Sequence, residues 1–325
     1  MISCLKFVHW KFGVEENAPQ LASEKTEELA SASQETLQLP GKRGVESDDE
    51  NDQATGECEY PYSSLQVAVM VQTARLSSSQ ELQYTHGLRV MAEEQPHGLN
   101  WFSACSGTGI FDIAADVLTD TWKKQYGIGF THKTKVFCEK ASAPQRHLIN
   151  NFNPDVLVED LIAIGTHGES INVVAKGLDK RVGAEVFLGL EAFHAGFSCT
   201  SRSPKNPKAS LNLNCIQKQT EAATAATYAA CASIIFHPQA EFRVALLENL
   251  NTLGQKATSS SDSDLDYILK DFHSHGWSAR AFVLECLAYG SWVARSRLFF
   301  IALKGCTQEN VQRLEYERVF VVCRG

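Results

Sequence analysis

A chain of 325 residues with 44% hydrophobic content can bury one large core and still have sequence to spare. The net charge of −8 is concentrated: residues 15–60 hold thirteen Asp or Glu against three Lys or Arg, so the remainder is slightly positive and neither demands nor forbids a polyanionic partner. Ten singly scattered cysteines argue against a disulfide framework or a metal cluster and for reduced thiols in an intracellular protein, and no run approaches the ~18 apolar residues of a membrane span.

The start, Met1 to Val14, is too short for a signal peptide and lacks a small-residue cleavage site. Residues 15–60 are rich in Glu, Ser, Gln, Asp and Ala. They cannot bury enough apolar surface to offset their ordering entropy, so disorder is expected. Leu65 to Val71 has strand character and Ser77 to Met91 is mixed. Residues 1–98 are therefore expected to form a disordered acidic segment and linker, ahead of a folded domain over 99–325.

From Asn100 apolar runs alternate with helical stretches. Strands are predicted at Trp101–Cys105, Lys135–Cys138, Val156–Val158, Ala192–Phe197, Arg243–Leu247, Ala281–Cys286 and Leu298–Leu303. Helices are predicted near Gly109–Trp122, Ala141–Asn151, Gln219–Ile235 and Leu265–His275. Such alternation implies a doubly wound, mostly parallel α/β sheet with helices on both faces, and ligands in such sheets sit at the carboxyl ends of the strands.

Each strand end carries a candidate. After the first strand, Ser106-Gly107-Thr108-Gly109 allows a tight turn and close backbone approach to a ligand; an ordinary turn uses the same residues. Glu139 follows the second strand, placed for two ribose hydroxyls or simply solvated. Asp160 follows the third, suited to an adenine amine or to capping a helix. Cys199 follows the fourth strand on the ligand side, although a lone cysteine is more often a packing residue than a reactive one. The loop after it, with Arg202, Lys205 and Lys208 broken by Pro204 and Pro207, suits a mobile lid that closes on a phosphate backbone. Glu248 leaves the apolar fifth strand, where a carboxylate tends to hold its proton and serve as a general acid. Arg295 and Arg297, two apart at the last strand's entrance, form a fork for oxygens or a pair of surface charges.

Taken in order, Phe102-Ser-Ala-Cys-Ser106-Gly107-Thr108-Gly109, Glu139, Asp160, Gly196-Phe-Ser-Cys199, Glu248-Asn-Leu and Val293-Ala-Arg295-Ser-Arg297 resemble the motif series of the cytosine-carbon-5 DNA methyltransferases. The resemblance covers about residues 99–304. It departs from the family pattern at Ser198 (Pro in the family), Thr200 and Val293 (both Gln) and Leu250 (Val). It implies a seven-stranded Rossmann-like methyltransferase sheet that binds S-adenosyl-L-methionine through Phe102, Ser106, Gly107, Thr108, Gly109, Glu139 and Asp160. Cys199 would be the nucleophile, assisted by Glu248, Arg295 and Arg297, with Arg202, Lys205 and Lys208 on nucleic acid. The implied partner is DNA, or RNA by the same chemistry, presenting a flipped-out cytosine. A nuclear location follows from that substrate. The family carries a target-recognition region and a closing helix beyond the last strand, and this chain stops about twenty residues past it. The resemblance therefore leaves target recognition to a second subunit or domain, and leaves open a methyltransferase-fold protein that binds without turnover.

Overall fold

The computed structural model of the chain describes residues 85–312, apart from 87, 91, 94, 153, 168–170, 176–177, 183, 258–261 and 286–294. The acidic segment and the expected strand at Leu65–Val71 lie outside the described residues.

Among the described residues, nine strands form one sheet. In chain order they are β1 (Leu99–Ala104), β2 (His132–Cys138), β3 (Val156–Val158), β4 (Ile171–Ala175), β5 (Leu178–Val182), β6 (Ala192–Ala195), β7 (Val244–Asn249), β8 (Trp277–Glu285) and β9 (Ser296–Lys304). Their spatial order is β5-β4-β3-β2-β1-β6-β7-β9-β8. Strands β3, β2, β1, β6 and β7 run parallel, and β9 enters antiparallel between β7 and β8. This is the doubly wound arrangement expected, with seven strands in its main body. The antiparallel pair β4–β5, beside β3, was not anticipated.

The central strands are buried on both faces, as continuous apolar runs require: in β1 only Asn100 is partly exposed, and in β7 only Glu248. Alternation divides their side chains between two cores. Trp101 packs with Phe111, Leu118 and Trp122 of helix α1 (Ile110–Tyr126), together with Leu246, Ile301 and Leu303. Phe102 and Ala104 face the other way, toward Leu161 and Ile164 of α3 (Leu161–His167), Tyr228, Cys231 and Ile234 of α4 (Ala223–Ile235), and Ile268 and Phe272 of α5 (Asp264–Ser274). Helix α2 (Ser142–Phe152) covers Phe137 and Leu157 with Leu148, Ile149 and Phe152. A short helix, α6 (Gln308–Gln312), closes the described chain.

Helix boundaries have local causes. Helix α1 buries Phe111, Ala114, Ala115, Leu118 and Trp122 at helical spacing. It stops at Gly127, whose N–H donates back to the Lys123 carbonyl at 3.1 Å. Helix α5 starts from a capping box in which Ser263 and Asp266 bond reciprocally. One expected boundary moves: Leu88, assigned to the linker, is fully buried against the α1-side core, so the domain begins before residue 99. Among the described residues no helix is long and apolar enough to cross a membrane, and no His, Cys, Asp and Glu group could hold a metal.

Candidate active site

The turn after β1 is built by backbone geometry. Cys105, Gly107 and Gly109 all have positive φ, at 51°, 56° and 74°. Ser106 ties the turn to the neighbouring strands. Its N–H donates to the Cys138 carbonyl at 3.1 Å, and its hydroxyl donates to the Ser103 carbonyl at 2.6 Å. At Gly109 a Cβ would lie 2.6 Å from the Phe152 ring, whereas at Gly107 it would meet nothing within 4 Å. Gly109 is thus required by packing on α2, while Gly107 borders open space.

Glu139 sits at the end of β2, but its carboxylate is already engaged. Gly107 N–H donates to Oε2 and Ala141 N–H to Oε1, both at 2.8 Å. Each oxygen keeps a second lone pair for a ligand hydroxyl. Asp160 realises the helix-capping alternative: Oδ1 accepts from Ile162 N–H at 2.9 Å, at the start of α3, and Oδ2 from Lys140 Nζ at 3.0 Å. Partial burial works against its charge, but Lys140 and these backbone donors outweigh burial and hold its carboxyl below the usual value.

Two expectations are corrected here. Phe102 is fully buried and stacks on Phe193 at 5.3 Å, in the core on the face away from α1. It does not line the cavity; Cys105, at the turn, does. Arg202 is 2% exposed and lies 3.7 Å from Asp264, itself fully buried, so it cannot meet a phosphate backbone. Its guanidinium also donates to the Thr252 carbonyl, and Thr252 Oγ1 returns a bond to the Arg202 carbonyl at 3.1 Å. Arg202 anchors the loop. Lys205 and Lys208 are exposed, as required of phosphate contacts. The loop itself is braced and no free lid: Asn206 donates to the Thr200 carbonyl at 3.1 Å and Asn212 to the Ser201 carbonyl at 3.0 Å.

Cys199 lies half-buried just past β6. A residue not singled out from sequence holds this segment: Asn249, 1% exposed, donates from Nδ2 to the Phe197 carbonyl at 2.8 Å. At the end of β7, Glu248 pairs with Arg297, with Nε 2.7 Å from Oε1. The register explains the meeting: Glu248 lies opposite Phe299 of β9, and Arg297, two residues away, shares that face. Burial raises the Glu248 carboxyl above its ordinary value, opposed by Arg295. Burial also raises the Cys199 thiol, the Glu248 charge raises it further, and Arg295 works the other way. The protein alone therefore holds Cys199 as a thiol.

A cavity of about 660 Å³ opens on the α1 side of the strand ends. The turn residues Cys105, Ser106, Gly107 and Thr108 line one wall; Gly196, Glu248, Arg295, Arg297 and Phe299 line the other; Phe111, His194 and Leu246 form the floor. His194 was not anticipated either. A polar ring in an otherwise apolar strand was the available signal. Glu139, Asp160 and Cys199 border this region without lining the cavity.

The sheet order, the glycine turn after β1 and the polar groups at successive strand ends define a Rossmann-like methyltransferase fold. No protein-family model matches the chain, and no curated protein matches it in sequence. Similar solved structures include the Dnmt2 methyltransferase of S. pombe, with TM-score 0.41 and 12% identity over 64% of this chain and 50% of that one. A Spodoptera frugiperda DNMT2 mutant gives 0.41 and 11% over 64% and 50%, and the Entamoeba histolytica methyltransferase EhMeth gives 0.38 and 11% over 63% and 53%. The chain spans about half the length of these structures. At such similarity the fold assignment rests on the strand order.

Proposed function

We propose that this chain is the catalytic part of an S-adenosylmethionine-dependent cytosine-carbon-5 methyltransferase acting on DNA. The observation that carries this reading is the meeting of Cys199, Glu248 and Arg297 at adjacent strand ends beside the glycine turn. The donor fits the residues present. The cavity volume lies within the range of small-molecule sites, roughly 300–1,000 Å³. Gly107 leaves space on its open side, and Glu139 retains acceptor capacity.

When bound, S-adenosylmethionine supplies an electrophilic methyl group for carbon 5 of cytosine. Cytosine carbon 5 needs activation first. Cys199 first gives its proton to solvent; the thiolate then forms a bond to carbon 6, and the displaced π-electron pair moves into the ring, which makes carbon 5 nucleophilic. Protonated Glu248 donates to ring nitrogen 3 and offsets that charge. After carbon 5 is methylated it gives its proton to a solvent water acting as base, that electron pair restores the ring double bond, the carbon–sulfur bond breaks, and Cys199 leaves as thiolate. The two groups are electrostatically linked: the Glu248 charge is one of the causes that raise the thiol, so protonating Glu248 also favours ionisation of Cys199. Arg297 and Arg295 hold the Glu248 carboxylate between turnovers and face the oxygen on cytosine carbon 2. Lys205 and Lys208 bind the backbone of a strand whose cytosine is flipped out.

The test is covalent trapping on oligonucleotides carrying 5-fluorocytosine, as duplex DNA or as RNA, with the donor present. A crosslink to duplex DNA that Cys199→Ser abolishes is the expected result. A crosslink to RNA alone would move the substrate assignment. Donor binding without any crosslink would leave a binding protein.

A further inference from the structure

His194 is the one floor residue of the cavity whose polar group is left without an explanation. It lies in β6 between Ser103 of β1 and Leu246 of β7, and its ring stacks flat on Phe111, with centroids 3.8 Å apart and planes 6° off parallel. Nδ1 is shut off from solvent and has no hydrogen-bond partner. His194 lines the cavity and is only partly buried, and Nε2, on the opposite edge of the ring, is not among the shut-off unpartnered atoms. Burial depresses its pKa to about 3, so the imidazole is neutral and holds one proton. A buried lone pair without a partner is tolerated better than a buried N–H without an acceptor. The proton therefore belongs on Nε2, aimed into the cavity. The site offers an uncharged N–H and calls for an acceptor.

The donor's shape identifies that acceptor, on the donor reading given above. A sulfonium has three arms. Glu139 places the nucleoside arm over the end of β2, and Cys199 with Glu248 places the methyl over the ends of β6 and β7. The amino-acid arm is left with the floor between β1 and β7, where His194 stands. Its ammonium has no lone pair to accept a bond; its carboxylate does. Arg295, on the cavity wall, adds positive potential for the same group. We propose that His194 is a donor-binding residue that donates from Nε2 to the α-carboxylate of S-adenosylmethionine, selecting ligands that carry the amino-acid arm.

Calorimetry with two probes tests this. S-adenosylhomocysteine carries the arm, and 5′-methylthioadenosine lacks it. His194→Phe keeps a ring on Phe111 and removes the N–H. It should weaken S-adenosylhomocysteine about tenfold or more, the scale of a hydrogen bond to a charged group, and leave 5′-methylthioadenosine within about twofold. An equal loss for both probes, or none for either, would overturn the proposal. If the Phe variant melts well below wild type, His194→Gln takes its place: it retains a donor, so a smaller but still arm-selective loss is expected, and equal losses again refute the proposal. Wild-type protein that binds 5′-methylthioadenosine but not S-adenosylhomocysteine would refute the arm site alone, whereas binding of neither would overturn the donor reading itself.

Discussion

Replacing Gly109 by Ala perturbs the turn at one defined point. An L-residue forced into φ +74° costs roughly 1–2 kcal/mol. The new Cβ would also stand 2.6 and 2.7 Å from two Phe152 ring atoms and 3.2 Å from Leu148 Cδ2. Leu148 is fully buried and moves only by disturbing Phe137 and Leu157, but the half-buried Phe152 ring can swing. The contact should therefore fall in the lower part of the overpacking range, about 1–2 kcal/mol. The total of about 3 kcal/mol corresponds to a melting temperature lowered by roughly 6–12 °C. Gly107→Ala supplies the comparison, since its Cβ meets nothing and only the backbone cost of roughly 1–2 kcal/mol remains. Urea unfolding of both variants, alone and in a Phe152→Ala background, separates the two contributions. Without the ring, the added cost of Gly109→Ala should shrink toward that of Gly107→Ala, leaving only the 3.2 Å contact with Leu148 Cδ2 as a surplus. Equal costs for the two glycines in the wild-type background would refute the steric account.

Two further outcomes follow from the electrostatics. Because the Glu248 charge raises the Cys199 thiol, Glu248→Gln should move the pH profile of iodoacetamide alkylation at Cys199 downward, giving faster labelling near pH 7.5; Arg295→Ala should move it upward, and superimposable profiles would contradict the coupling. Arg202→Ala strands Asp264 in the interior and should cost about 3 kcal/mol in urea unfolding, whereas Lys205→Ala and Lys208→Ala should stay within about 0.5 kcal/mol while weakening binding to duplex DNA; an Arg202→Ala variant that loses DNA affinity at unchanged stability would restore the phosphate role.

Much of the fold was legible because central strands carry their burial as continuous apolar runs. Val156–Val158 falls on β3, and Leu298–Leu303 lies within β9. The hairpin β4–β5 was not legible: it pairs through one antiparallel edge, where no run buried on both faces is needed. At the site, residue type and position after a strand brought out Glu139, Cys199 and Glu248. What those cues could not reveal was which face a residue takes and what it meets far along the chain. Phe102 looks like part of the glycine turn, yet strand alternation sends it to the opposite core. Arg202 looks exposed among Ser and Pro residues, yet its partner Asp264 lies 62 positions away. The Asp160 carboxylate could be read either way until Lys140 and the first turn of α3 were placed around it.

The position of β9 has a bearing on how the cavity is assembled. It is the last strand among the described residues, yet it lies inside the sheet, between β7 and the earlier-made β8. While a nascent chain still lacks β9, β7 presents an unpaired edge and Glu248 has no Arg297 beside it. Strand insertion then does three things in one event: it closes the edge, neutralises the carboxylate and raises the far wall of the cavity with Phe299. A folding intermediate stalled before that event would hold the glycine turn and Cys199 but not the ion pair. A complete wall at this site therefore reports the insertion of β9, and a chaperone or protease that recognises open sheet edges would meet the protein only before that insertion.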